Sequence, residues 1–96
     1  MNPKPTSGKR HSGKHRGSLD IIADILEASK VKARKTYLMY RCNLSFKQLE
    51  NYLNLLLKRG LISTVEDNDN NASLFKITEK GEYFLETYRG LQGLMK

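Results

Sequence analysis

The stretch CNLSFKQLENYLNLLLKRG, residues 42–60, constrains the fold of this chain more than any other. Ser45 followed three residues later by Gln48 matches a capping box, in which each side chain satisfies the other residue's exposed backbone N–H. The box starts a helix at Phe46, and Gly60 ends it after Arg59. At 100° per residue, Phe46, Leu49, Tyr52, Leu53, Leu56 and Leu57 fall within an arc of about 140°. Lys47, Asn51, Asn54 and Lys58, spaced by four, three and four residues, form a polar stripe opposite. The helix therefore commits one face to a core. Its stripe either keeps the helix soluble or reads a partner.

The flanking segments carry their own signals. Ser18 suits an N-cap for a helix from Leu19 to about Ser29. Leu19, Ile22, Ala23 and Leu26 make its apolar face, while Asp20, Asp24 and Glu27 point outward. KVKARK reads as a basic connector. TYLMYRC spells a brief helix capped by Thr36, with Leu38, Met39 and Cys42 at helical spacing and Asn43 as a left-handed terminator. LISTVE and SLFKI, rich in β-branched and aromatic residues, flank the turn tract DNDNNA and predict a hairpin. Thr78 caps a last helix, 79–94, where Phe84, Tyr88, Leu91 and Met95 make a coiled-coil-like seam. Gly90 and Gly93 weaken its last turns by about 1 kcal/mol each. The order helix, helix, turn, helix, hairpin, helix describes a mainly helical α+β domain over 18–96. It is that of a winged helix-turn-helix: three helices, a two-stranded β-hairpin wing and a C-terminal helix.

Charge narrows the partner. The 96 residues carry a net +7, unevenly spread. Residues 1–17 hold Lys4, Lys9, Arg10, Lys14 and Arg16 without an acid, and their Pro, Gly and Ser content predicts a disordered basic tail. His11 and His15 lie four apart in that tail, where metal binding would be incidental. Lys30, Lys32, Arg34, Lys35 and Arg41 form a second acid-free cluster. Two such clusters point to a polyanion, most often nucleic acid. Cys42, the single cysteine, has no zinc-finger neighbours and reads as a small residue packed at a helix end, or else as a redox sensor. No run approaches the ~20 apolar residues that span a bilayer, and no hydrophobic segment follows the basic N-terminus. A cytoplasmic, nucleoid-associated protein without metal or cofactor is the expectation.

These elements assign roles. Lys47, Gln48, Asn51 and Asn54 are placed to meet base edges, because Asn pairs with adenine and Lys with guanine or phosphate. Lys30, Lys32, Arg34, Lys35, Thr36, Tyr37, Arg41, Ser45 and Lys58 are placed for the DNA backbone. Tyr37 and Tyr40 add hydroxyl contacts or simply pack. An enzyme is not expected: the histidines lie in the tail, the carboxylates are scattered, and no Gly-rich phosphate loop occurs. No aromatics interleave with the bases as an RNA-binding sheet would need.

SLDIIADILEASK, KTYLMYRCNLSFKQLENYLNLLLKRGLI and FKITEKGEYFLETYR together resemble the small archaeal winged-helix DNA-binding proteins, over residues 18 to about 89. That group includes transcriptional regulators and a dimeric chromatin-associated protein. The resemblance implies binding of double-stranded DNA through helix Phe46–Arg59, with regulation of transcription as the role. It also implies a homodimer through the last helix, at Phe84, Tyr88, Leu91 and Met95. Phe84, Tyr88 and Leu91 would otherwise tuck against helix Leu19–Ser29. Glu66, Asp67 and Asp69 make the hairpin tip acidic, which would repel phosphates. That tip favours the alternative reading, a protein–protein interaction module in a transcription or replication assembly.

Overall fold

The computed structural model describes residues 16–67 and 72–95. Its elements are α1 (Ser18–Ala28), α2 (Lys35–Cys42), α3 (Phe46–Lys58), β1 (Ile62–Asp67), β2 (Ala72–Ile77) and α4 (Glu79–Met95). Residues 1–15, including His11 and His15, lie outside the described residues, as do 68–71 of the hairpin tip. Arg16 and Gly17, expected in the tail, belong to the folded domain.

Helix α3 forms as its sequence dictates. Gln48 N donates to Ser45 Oγ at 3.1 Å and Ser45 N donates to Gln48 Oε1 at 3.0 Å, closing the capping box. Asn43 at φ 56° and Gly60 at φ 74° take the left-handed conformations that end α2 and α3. Leu49, Leu53 and Leu56 are buried, whereas Phe46 and Leu57 reach the surface. The two exceptions stand together at one edge of the apolar arc, beyond what the neighbouring elements cover. The Lys35 ammonium covers part of the Phe46 ring, 5.0 Å from its centroid, a cation–π contact.

Two helix starts differ from expectation. The N-cap of α1 is Gly17 rather than Ser18, and Gly17 N donates to Asp20 Oδ2 at 3.1 Å. Helix α2 begins at Lys35 with Arg34 as N-cap, so Thr36 lies inside the first turn and does not cap it. The cause is a bridge within the basic connector. Ala33 N donates to Phe75 O at 2.9 Å and Phe75 N donates to Ala33 O at 2.8 Å. Ala33 is thus pinned to β2, and the helix can only start after it. Helix α1 also buries a wider face than its spacing suggests, because α2, α4 and β2 all pack on it. Ile25 is fully buried, while Leu19, in the first turn, is exposed.

Strands β1 and β2 pair antiparallel, with Ile62 opposite Ile77 and Asp67 opposite Ala72. The core combines Ile22, Ile25 and Leu26 of α1 with Leu38 of α2 and the three α3 leucines. Ile62, Phe75 and Ile77 of the hairpin and Leu85 of α4 join it, with Cys42, Leu44, Leu61 and the smaller Ala23, Ala28 and Ala33 between them. The Thr78 hydroxyl joins two elements: it donates to Gly60 O at 2.6 Å and accepts from Gly81 N at 3.0 Å. Helix α4 continues unbroken through Gly90 and Gly93. Among the described residues no helix is long and apolar enough to cross a membrane.

Candidate nucleic-acid interface

Capping by Ser45 and burial of Leu49, Leu53 and Leu56 fix the rotation of α3, and that rotation sets its polar stripe. Lys47, Gln48, Asn51, Asn54 and Lys58 are all exposed. Gln48 has its carbonyl oxygen engaged by the capping box, so only its amide N–H groups remain for a partner. Ser45 Oγ already accepts from Gln48 N. Asn54 lies in a groove of about 560 Å³ between α3 and the hairpin, with Arg34, Lys35 and Thr36 on its α2 side and Thr64 and Ser73 on its strand side.

The basic cluster divides in two. Lys35 Nζ sits 3.0 Å from Glu50 Oε2, and Lys30 Nζ sits 3.6 Å from Glu27 Oε2. Glu27 lies three residues before Lys30, whereas Glu50 is fifteen residues from Lys35 and cannot be seen from the acid-free run itself. Lys32, Arg34, Thr36, Tyr37 and Arg41 line a second groove, of about 550 Å³, between α2 and the end of α1. Arg34 and Thr36 border both grooves. The helix-turn-helix unit therefore carries a groove on each side of the α2 N-terminus.

One positioning residue escaped the sequence. Arg16 Nη1 donates to Asp24 Oδ2 at 2.8 Å, and its Nη2 donates to Cys42 O at 2.8 Å and Asn43 O at 3.5 Å. It thereby ties α1 to carbonyls at the end of α2, where the turn into α3 begins. A cation at a helix C-terminus also suits the helix dipole. Its composition placed it in the tail, and nothing in local spacing reports a contact across 26 residues.

Beneath this clamp, Cys42 is only 1% exposed. Burial pushes its thiol up from 9.0 to about 11, helped by the Asp24 carboxylate and opposed by Arg41 and Arg16. The thiol is raised in the folded state, so its stabilising contribution is complete below the unfolded value. It is lost as pH climbs through about 11. The thiolate is the reactive species, and a rise of this size lowers its abundance about 100-fold at neutral pH. Iodoacetamide should accordingly alkylate native Cys42 at least that much more slowly than the urea-unfolded chain. Equal rates would contradict the burial.

Of the residues expected to dimerise, Phe84 and Tyr88 pack against the core, while Leu91 is exposed together with Leu94. The side chain of Met95 lies outside the described residues. So do the side chain of Asp67 and the whole of Asp69. Glu66, near the hairpin tip, is exposed. Among the described residues, no three His, Cys, Asp or Glu side chains converge as a metal site.

Comparison with known proteins places this geometry in context. Residues 15–96 match the family described as winged helix-turn-helix. A protein of Methanocaldococcus jannaschii, described as uncharacterized, is 36% identical over 72 residues. That span is 74% of this chain and 31% of the relative, so the chain covers about a third of that protein's length. Among solved structures, Sso10a-2, a DNA-binding protein from Sulfolobus solfataricus, is similar at a TM-score of 0.75 and 25% identity, over 83% of this chain and 82% of that one. BldR, a transcriptional regulator from Sulfolobus solfataricus, is similar at a TM-score of 0.68 and 23% identity, over 78% and 56% of the two chains.

Proposed function

The chain belongs to the winged helix-turn-helix family, and from that premise we propose that it is a regulator that binds duplex DNA through α3. The observation that carries the reading is the exposed stripe Lys47, Asn51, Asn54 and Lys58 on a helix whose opposite face is locked into the core. Seated in a major groove, its early residues Lys47, Gln48 and Asn51 meet base edges, and Asn54 follows along the groove wall. Lys58, at the far end, meets phosphate. Ser45, Thr36, Tyr37 and the cations Lys32, Arg34 and Arg41 hold the backbone on either side. Lys30 and Lys35 join them only by exchanging their carboxylate partners for phosphate. The name of Sso10a-2 as a DNA-binding protein supports the reading. Exposed Glu66 keeps the hairpin tip away from the phosphates by like-charge repulsion. Nothing in this chemistry calls for catalysis: positioned donors and cations bind without breaking bonds.

Asn51→Ala should test the assignment directly. Losing a bidentate base contact is worth about 1–3 kcal/mol, or roughly 5–150-fold in affinity for the preferred duplex. Fluorescence anisotropy on a selected duplex measures it. An Asn51→Ala protein that binds like the parent would remove α3 from the groove.

Two finer features complete the proposal. A homodimer forms through α4, with exposed Leu91 and Leu94 supplying apolar surface beside half-buried Phe84 and Tyr88. Sedimentation equilibrium should show a dimer that Leu91→Asp converts to monomer; a monomeric parent at high micromolar concentration ends this part of the reading. The protein also works on the cytoplasmic nucleoid, and a fluorescent fusion spread evenly through the cell would contradict that placement.

A further inference from the structure

The groove between α2 and the end of α1 exposes aromatic and aliphatic surface that backbone contacts to a duplex on α3 do not use. Tyr40 is 86% exposed, Val31 76% and Tyr37 50%. All three line this one groove, together with Lys32, Arg34 and Arg41. Tyr37 and Tyr40 stand three residues apart on α2, which puts them on the same helix face. The buried side of α2 belongs to Leu38 and Cys42, so neither ring contributes to the core. Single exposed apolar residues are ordinary, but three gathered in one groove mark a contact surface. Its one acid, Glu27, is already engaged, with Arg89 Nη2 at 2.9 Å and Lys30 Nζ at 3.6 Å. The groove therefore presents exposed aromatic rings among cations, with its single carboxylate neutralised.

The geometry points to a second nucleic-acid site here, one for an unpaired strand. Bases stack on Tyr37 and Tyr40, because every base has a π-face and such stacking needs no particular sequence. Lys32, Arg34 and Arg41 hold the phosphates between them. Val31, across the groove, offers aliphatic surface to a base or sugar. A fully paired duplex cannot use the rings in this way, since its bases are stacked on one another. Lys32, Arg34 and Arg41 are also the cations proposed for the duplex backbone, so a duplex on α3 and a strand on α2 bind in competition. The aromatic and basic residues missing from any strand pattern are supplied by a helix face. The site stands beside the duplex reading and does not depend on it.

The test uses the full chain and fluorescein-labelled oligothymidylate of about twelve nucleotides, with an abasic oligomer of the same length as control. The thymidylate should bind about ten-fold or more tightly than the abasic strand. Tyr40→Ala should lose most of that advantage, while Tyr40→Phe keeps it, because stacking needs the ring and not the hydroxyl. Duplex affinity should change by no more than a few-fold in either variant, and Asn51→Ala should show the converse pattern. An oligouridylate arm tells which sugar is preferred, and Tyr-dependent binding of either strand supports the site. Equal binding of abasic and thymidylate strands would overturn it, as would equal loss of duplex and single-strand binding in the alanine variant. Displacement of the thymidylate by poly-glutamate as readily as by unlabelled thymidylate would overturn it in favour of an acidic protein partner.

Discussion

Gly81→Ala should destabilise the domain by about 3 kcal/mol or more, lowering its melting temperature by roughly 12–24 °C. Gly81 is in the first turn of α4, packed directly on the chain that leaves α3. A Cβ there would overlap the Leu61 carbonyl oxygen, and would lie 2.7 Å from Ile77 Cγ1. The Leu61 carbonyl cannot yield cheaply, since it also accepts from Thr78 N at 3.0 Å. Nor can α4 shift alone, because Gly81 N is held by Thr78 Oγ1. Gly90 and Gly93 are the internal controls: a Cβ at either meets nothing within 4 Å. Alanine at those positions should stabilise α4 by about 1 kcal/mol each. Thermal unfolding followed by circular dichroism separates the three variants. A Gly81→Ala protein melting within a few degrees of the parent would mean the α3–α4 approach is looser than described.

The affinity for duplex DNA should fall by at least about 150-fold between 50 and 200 mM salt. The figure follows from four cations proposed for phosphate: Lys32, Arg34, Arg41 and Lys58. Each neutralised phosphate contributes about −0.9 to the slope of log affinity against log salt, which gives roughly −3.6. If Lys30 and Lys35 leave Glu27 and Glu50 for phosphate, six contacts raise the loss to about 1800-fold. Residues 1–15 bring further cations, so the lower figure is a floor. Titration at four salt concentrations gives the slope. A loss of only a few-fold would be incompatible with backbone contacts of this kind, and would leave the acidic hairpin tip and a protein partner as the better account of the domain.

The fold was legible where a local rule had one physical outcome. Ser45 with Gln48 can close a capping box, Asn43 and Gly60 tolerate left-handed backbone, and leucines at helical spacing need a common cover. Those residues placed α3, and Thr78 placed α4, before any packing was known. The differences arise where a distant partner decides. Helix α2 starts at Lys35 because Ala33 pairs with Phe75, and one residue pair leaves no alternating pattern to read. Phe46 and Leu57 lie outside the core because their neighbours cover only the centre of the arc. The exposed polar stripe of α3 was legible, because it depends on one helix. Arg16, whose partners are far along the chain, was not, nor was the pairing of Lys35 with Glu50. For the two tyrosines of α2 the sequence leaves packing and hydroxyl contacts both open, since nothing in TYLMYRC shows which of its apolar residues α1 will cover.

The basic connector is held at two points in the free protein. Ile77 N donates to Ser29 O at 2.9 Å, and Ala33 exchanges both its backbone bonds with Phe75. Lys30 and Lys32 therefore project from a segment already laid against the sheet, and Arg34 follows directly as the N-cap of α2. Association at this surface orders little new backbone. Its heat-capacity change thus reflects the area covered, without the large contribution that accompanies a segment folding as it binds.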